Sequence, residues 1–234
     1  MLIVLASVGI FGIVQAQLVE PDTIITYYDR FDVAISFFER GRYRLAQSHF
    51  QHILTNEKEF YDPAAQLMLA KSQFRQGRLS DADRTCRSFL NTFPNSPYEL
   101  HAQALLGDIS ILKRDYSSAM NRFLSIRPSI TDSLFLLEID NRIVSCISIG
   151  LRSDQIEQIL FNETNDINRA ILNLTRGYRS ILDGDNYEAR LSIDVIERSI
   201  LPIQYQDMFN ALNLYKEDKG SFQATVALIL PLTG

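Results

Sequence analysis

The chain has 234 residues, of which 46% are hydrophobic and 22% are charged, and its formal net charge at pH 7 is -5. The length allows one large domain or two small ones, and the composition is ordinary for a folded protein. The negative charge argues against a general nucleic-acid binder, since phosphate binding requires a basic surface. Cys86 and Cys146 follow no CxxC spacing, so they are expected to be buried thiols, with a disulfide as the alternative.

An apolar segment, MLIVLASVGIFGIVQA, occupies residues 1–16. It is too short to span a bilayer comfortably as a helix, and it fits the apolar region of a secretory signal. Short side chains at Val14 and Ala16 predict cleavage before Gln17. No Lys or Arg precedes the apolar run, so either the true start lies upstream or the signal is atypical. An uncleaved N-terminal anchor is the alternative to a secretory signal. The segment predicts export, and membrane association only through an uncleaved N-terminus.

A helical repeat follows. Stretches beginning at Gly41, Gly77 and Arg114 each carry Ala five residues later, then apolar residues four and seven positions beyond it. A small residue also lies twelve positions before each Ala. Two antiparallel helices approach closely only where the side chains at their crossing are small. Each unit is therefore predicted to be a helix, a short turn and a second helix. The predicted repeat-packing residues are Ala34, Ala46, Ala70, Ala82, Gly107, Ala119, Gly177 and Ala189.

The part of the repeat after residue 131 is weaker. A helix is expected within 132–151 and another within 152–160, with Ser153 as its cap, but Val144 and Ile156 stand where the other units have small residues. The pattern recovers from residue 171, with Gly177 and Ala189 twelve apart. A last helix is expected over 204–215, followed by a charged linker over 216–222.

The repeat resembles the tetratricopeptide repeat, a helix–turn–helix unit of about 34 residues. In the best copy the matching residues are Ala70, Phe74, Gly77, Leu79, Ala82, Phe89 and Pro94. The resemblance implies an all-α solenoid of about five helical hairpins over residues 24–215. Stacked in order, the hairpins would form a right-handed superhelix.

The end of the chain reads FQATVALILPLTG, over residues 222–234. An apolar run with a β-branched residue, closed by Pro231, is typical of a buried strand in a parallel sheet. It is similar to the first strand and turn of type I periplasmic binding proteins. Residues 223–234 are therefore predicted to begin an incomplete α/β domain, with an apolar C-terminal helix as the alternative. This domain order resembles the penicillin-binding protein activators of bacterial envelopes.

Catalytic motifs are not recognised: the sequence has no GxSxG, HExxH, P-loop or GxGxxG. His49 and His52 lie three apart, but no third ligand is apparent, so no metal and no cofactor is predicted. The prediction is a non-enzymatic interaction scaffold, exported to the bacterial periplasm, that binds a protein partner. The alternatives are an accessory domain of a small-molecule receptor, whose ligand would need the missing domain, and a subunit of a cell-wall enzyme.

The tetratricopeptide resemblance implies a concave groove lined by the first helix of each hairpin. Such a groove could take an extended peptide or a helix. Lys71 and Arg75 share one helix face and are the favoured contacts, whereas Phe74 and Ile111 are expected to pack on neighbouring helices. The predicted partner-binding residues are Tyr28, Phe31, Lys71, Arg75, His101 and Asp108, with Ile35, Phe38, Leu67 and Ala104 as further lining residues.

Overall fold

In a computed structural model of the protein, residues 27–56 and 62–217 are described. They form eleven α-helices and two 3-10 turns, Arg127–Ser129 and Arg198–Ile200. The helices are α1 (Tyr27–Glu39), α2 (Tyr43–Asn56), α3 (Asp62–Arg75), α4 (Leu79–Thr92), α5 (Glu99–Leu112), α6 (Tyr116–Ile126), α7 (Ser133–Ile149), α8 (Ser153–Asn162), α9 (Asp166–Asp183), α10 (Asn186–Asp194) and α11 (Ile203–Glu217).

The predicted signal segment and the predicted strand lie outside the described residues, as does the predicted linker from residue 218 onward. The first two residues of that linker, Lys216 and Glu217, belong to α11, so this part of the prediction is wrong. Lys and Glu are good helix formers, and the helix continues through them. None of the described helices is both long enough and apolar enough to cross a membrane.

Consecutive helices pack as pairs, and the prediction of an all-α, tetratricopeptide-like solenoid is confirmed. The helices of α1–α2, α3–α4, α5–α6 and α9–α10 pack along each other, and the second helix of a pair also packs on the next helix in the chain. The structure buries all eight small residues of the predicted helix crossings. A small side chain at the crossing lets two helix backbones approach, so the larger apolar residues around it can interdigitate.

Two glycines show how close the helices come. A Cβ atom added at Gly107 of α5 would overlap the edge of the Phe123 ring, 2.6 Å from its Cζ atom. A Cβ atom added at Gly177 of α9 would lie 3.4 Å from side-chain atoms of Ser192 and Ile193, which is ordinary contact. The α5–α6 crossing therefore requires glycine, whereas the α9–α10 crossing has room for alanine.

The turns inside these four pairs share one geometry. Gly41, Gly77, Arg114 and Gly184 all have a positive φ, between 61° and 79°. At Gly77, its N–H donates to Phe74 O (2.9 Å) and the N–H of the next residue donates to Gln73 O (3.0 Å). The other three turns repeat this pair of hydrogen bonds, which closes a helix C-terminus on a left-handed residue. Arg114 adopts the left-handed conformation without the freedom that glycine provides.

The fourth pair differs from the others. α7 and α8 do not pack along each other; α7 packs on α6 and α11, and α8 packs on α9 and α6. Val144 and Ile156 occupy the positions that are small elsewhere, so the two backbones cannot close. Ser153 does not cap α8 as predicted. The cap residue is Arg152, whose N–H is bound by the side chain of Gln155 (3.1 Å), and the Ser153 hydroxyl donates to Asp183 (3.1 Å).

A buried polar triad anchors α11 to α7. The guanidinium of Arg127 donates two hydrogen bonds to the carboxylate of Asp140 (2.7 and 3.2 Å), and the Tyr205 hydroxyl donates to the same carboxylate (3.0 Å). All three side chains are almost completely buried. Burial, together with the charge of Asp140, raises the pKa of Tyr205 well above its ordinary value, so its hydroxyl stays protonated and donates.

The hydrophobic interior of the described residues divides into three clusters along the chain. One lies between α1, α2 and α3, the second between α3, α4 and α5, and the third extends from α5 to α11. Cys86 lies in the second cluster and Cys146 in the third, both as buried free thiols, as the sequence favoured. Burial raises the pKa of each thiol to about 12, so neither is a reactive thiolate at neutral pH.

Alanine substitutions at Gly107 and Gly177 should affect the stability of the protein differently. We expect Gly107→Ala to lower the free energy of unfolding by about 1–2 kcal/mol, because displacement of Phe123 outweighs the gain in helix propensity. Gly177→Ala should be neutral or stabilising by up to about 1 kcal/mol, since its new methyl group meets no overlap. Urea denaturation followed by circular dichroism measures both, and equal effects would contradict the difference in packing.

Glycine at the third turn should stabilise the protein. We expect Arg114→Gly to raise the free energy of unfolding by about 1 kcal/mol, because it removes the left-handed strain of a residue with a Cβ atom. Gly77→Ala, at the equivalent turn, should lower it by a similar amount. Thermal melts of the two variants beside the wild type check the prediction, and destabilisation by Arg114→Gly would count against it.

Candidate functional site

A cluster of charged side chains lies across the first helices of three consecutive pairs. We call it the α3–α5–α7 cluster. Its electrostatic interactions link residues on all three helices, which contact each other in sequence order. Its members are Lys71, Arg75, His101, Asp108, Glu138 and Arg142. The repeat brings them together because equivalent positions on successive first helices face the same side of the stack.

Arg142 binds both carboxylates of the cluster and offsets one of their two negative charges. Its Nε donates to Asp108 Oδ1 (2.7 Å) and one terminal nitrogen donates to Glu138 Oε2 (3.3 Å). Burial raises the pKa of Asp108, and the nearby Arg142 opposes that rise. Asp108 was predicted as a partner contact, but its carboxylate is engaged within the protein. It therefore positions Arg142 rather than presenting an unpaired charge.

Lys71 stands out because its charge has no close counter-ion. It is half-buried and makes no hydrogen bond or ion pair to the described residues, although Glu138 acts on it through its electric field. Burial lowers the pKa of Lys71, and Arg142 and Arg75 add to that effect. Arg75, one helical turn further, is exposed and has no ion pair within the described chain. The two side chains form a basic position beside the carboxylates that Arg142 binds.

His101 provides the aromatic part of the cluster. Its ring lies against the ring of Phe135 on α7, with 4.2 Å between the centroids. Burial lowers the pKa of His101, and the neighbouring Lys71 lowers it further, against the opposing charges of Glu138 and Asp132. At neutral pH the imidazole is therefore mainly uncharged and acts as a flat, half-buried surface next to the lysine.

The remaining predicted lining residues take different positions. The side chain of Tyr28 lies outside the described part, although its backbone belongs to α1. The half-buried Phe31 contacts Phe50 edge to face, at 5.7 Å between centroids. Leu67 and Ala104 were predicted to line the groove, but both are buried in hydrophobic clusters, because the solenoid turns these positions toward the neighbouring helices.

The four other aromatic and aliphatic lining residues are half-buried. Each packs against one of the hydrophobic clusters, which is the role that the sequence favoured for two of them, Phe74 and Ile111. Ile35 and Phe38 pack in the same way in the first pair. The apolar members of the predicted groove therefore act mainly in packing, and its exposed chemistry is the charged cluster.

Phe135, Glu138 and Arg142 were not predicted from the sequence. One signal was available: Glu138 lies 37 residues after His101, so one more repeat period reaches it. Glu138 was not predicted because the fourth pair lacks the small residues by which the repeat was recognised. Arg142 carries no sequence signal, since its pairing with Asp108 joins residues 34 apart on different helices.

Metal-binding geometry is not found among residues 27–56 and 62–217, where no group of three His, Cys, Asp or Glu side chains could hold an ion. His49 lies against the ring of Phe37, with 5.2 Å between centroids. Burial lowers the pKa of His49, with Arg30 and His52 as further causes. The imidazole therefore packs as an aromatic surface on the first pair of helices.

One copy of the repeat matches a known protein family. Residues 64–96 match the tetratricopeptide repeat. These residues form α3, α4 and the turn after α4, which is the copy that carries Lys71 and Arg75. No curated protein sequence matches the chain.

Two solved structures are similar over most of the chain. A tetratricopeptide repeat protein from Parabacteroides merdae ATCC 43184 is 16% identical, with 87% of this chain and 82% of that one covered and a TM-score of 0.43. A thermophilic tetratricopeptide repeat protein from Thermus thermophilus is also 16% identical, with 85% and 93% covered and a TM-score of 0.30. At these scores the fold assignment depends on the packed helical pairs and on the match over residues 64–96.

The pKa of His101 predicts how stability depends on pH. The folded state lowers this pKa below the unfolded value of about 6.5, so the unfolded chain binds the proton more tightly. The stabilising contribution is present above about pH 6.5 and is lost as the pH falls below it. We expect His101→Gln to make the loss of stability between about pH 7.5 and 5 shallower.

Urea midpoints measured across that pH range test this prediction. His49→Gln is the matched variant, because the pKa of His49 is also lowered on folding, and it should remove a separate part of the acid sensitivity. The double variant should show the weakest dependence of the three. An unchanged pH profile for His101→Gln would contradict the assigned burial of this imidazole.

Proposed function

We propose that this protein is a non-catalytic interaction scaffold that binds a protein partner along its α3–α5–α7 cluster. Tetratricopeptide repeats generally mediate protein–protein interactions, and residues 64–96 match one such repeat. The single observation that carries the site is Lys71, a half-buried cation without a close counter-ion between three helices. A partner carboxylate would supply the missing charge.

The chemistry of the cluster favours an extended acidic segment. A carboxylate placed at Lys71 would be within reach of Arg75, which lies one helical turn away on the same face. The His101–Phe135 pair offers a flat aromatic surface beside that position. Arg142 offsets one of the two negative charges of Asp108 and Glu138, and Lys71 with Arg75 leaves the cluster with a net positive charge toward an acidic ligand.

The cellular setting is part of the proposal. The apolar segment at residues 1–16 supports export, and the apolar run after residue 222 supports a second, α/β domain. Together with the helical repeat, these features suggest a periplasmic envelope protein, with activation or regulation of peptidoglycan synthesis as its role. Cell fractionation with an antibody against the native protein tests the location, and a cytosolic pool alone would reject it.

Two other functions remain as alternatives. In one, the helical part assists a periplasmic receptor for a small, amino-acid-like molecule, and the apolar run after residue 222 is what favours it. In the other, the protein is a subunit of a cell-wall enzyme. Turnover of purified peptidoglycan by the protein would overturn the non-catalytic proposal.

Charge reversal should abolish partner binding if the cluster is the site. We expect Lys71→Glu with Arg75→Glu to reduce binding of the envelope partner at least tenfold, because a carboxylate would then meet two negative charges. The partner would be captured from envelope extract and identified, and its affinity for the purified protein measured by calorimetry at two salt concentrations. Wild-type binding should weaken at higher salt.

The matched control reverses Arg44 and Arg190, which are exposed on the second helices α2 and α10. This variant has the same net charge as the cluster variant but an unchanged cluster. It should bind the partner like the wild type. If both variants lose binding equally, the effect comes from net charge, and the proposed site is wrong.

A further inference from the structure

The helix α11 takes a place that a regular solenoid does not provide. It packs on α9 and α10, as a terminal helix would, but it also packs on α7. α7 and α9 do not pack along each other, whereas the first helices of the two preceding pairs, α5 and α7, do make contact. α11 therefore lies in a seam between α7 and α9. α7 and α8 do not close on each other, and α11 occupies the space beside α7.

The seam receives one face of an amphipathic helix. Tyr205, Met208, Phe209 and Leu212 follow the spacing i, i+3, i+4 and i+7, and each is buried, between 0% and 8% exposed. This spacing is the one by which helices bind in hydrophobic grooves of other proteins. The opposite face of α11 is not purely polar, because Leu214 is 64% exposed.

The centre of the seam is polar on the side of α7. When α11 leaves, Asp140 keeps both hydrogen bonds from Arg127 and loses only the contacts from the Tyr205 hydroxyl, to its carboxylate (3.0 Å) and its backbone carbonyl (3.5 Å). Water can then solvate the ion pair, which lowers the cost of opening relative to a wholly apolar contact. The helix is also last in the described chain, so its departure takes no other described helix with it.

We propose that the seam between α7 and α9 is a second interaction surface, which α11 occupies in this structure and from which a partner helix displaces it. The partner is an amphipathic helix with a tyrosine followed by apolar residues three, four and seven positions later. Its tyrosine hydroxyl donates to Asp140, as that of Tyr205 does. This surface is separate from the α3–α5–α7 cluster and does not depend on it.

A labelled peptide with the sequence of residues 203–217 is the probe, titrated into the full chain and followed by fluorescence anisotropy. Tyr205→Phe in the protein removes only the hydrogen bond to Asp140, so the resident helix is held less tightly. We expect this variant to bind the wild-type peptide about tenfold more tightly than the wild-type protein does, because the seam is open more often. The peptide with Tyr205→Phe should bind the variant about tenfold more weakly.

Two leucines of the peptide give a matched control. Leu212 is 3% exposed and Leu214 is 64% exposed on the same helix. Leu212→Ala should weaken peptide binding at least tenfold, whereas Leu214→Ala should leave it unchanged. Equal effects of the two would overturn specific binding in the seam.

Hydrogen exchange of the two proteins gives an independent readout. In the wild type, the amides of α11 should exchange faster than those of α5, and Tyr205→Phe should accelerate α11 without changing α5. If α11 exchanges no faster than α5 in both proteins, and the peptide does not bind the folded Tyr205→Phe variant, α11 is a fixed part of the core and the proposal is wrong.

Discussion

Close approach of two helix backbones is the constraint on which this fold depends. It occurs where alanine or glycine lies at both crossing positions, and four helix pairs meet that condition. The α7–α8 pair lacks these small residues and does not close, and α11 packs on α7. The tightest case is Gly107, where the ring of Phe123 fills the space that a side chain would need. The size of the side chains at the helix crossings, more than their hydrophobicity, therefore decides the path of the solenoid.

The sequence could predict the helices, the buried small residues and the pairing of four of the five hairpins, because these follow from a local pattern whose first three copies repeat every 36 or 37 residues. It could not predict the position of α11, which depends on contacts between residues 65 apart, Asp140 and Tyr205. An aspartate in an ordinary helix gives no sign that it will be buried. Its burial depends on Arg127 arriving from a turn outside the helix.

The candidate site shows the same division. Lys71, Arg75 and His101 were found by extending the repeat register, and the structure places them in one electrostatic cluster. The role of Asp108 was not predictable, since its partner Arg142 lies on the next first helix. Leu67 and Ala104 share the repeat register of the groove residues but lie in the interior. The repeat register predicts which way a side chain faces, and it does not predict how deeply that side chain is buried.

The division of the interior into three hydrophobic clusters has a mechanical consequence. α3 contributes to the first two clusters and α5 to the last two, so each boundary between clusters lies at a helix that also carries part of the charged surface. An extended ligand that contacts α3, α5 and α7 would span such a boundary and hold the helices on its two sides together. In the unbound protein, parts of the solenoid would then unfold separately. The bound protein would resist extension and proteolysis as a single unit.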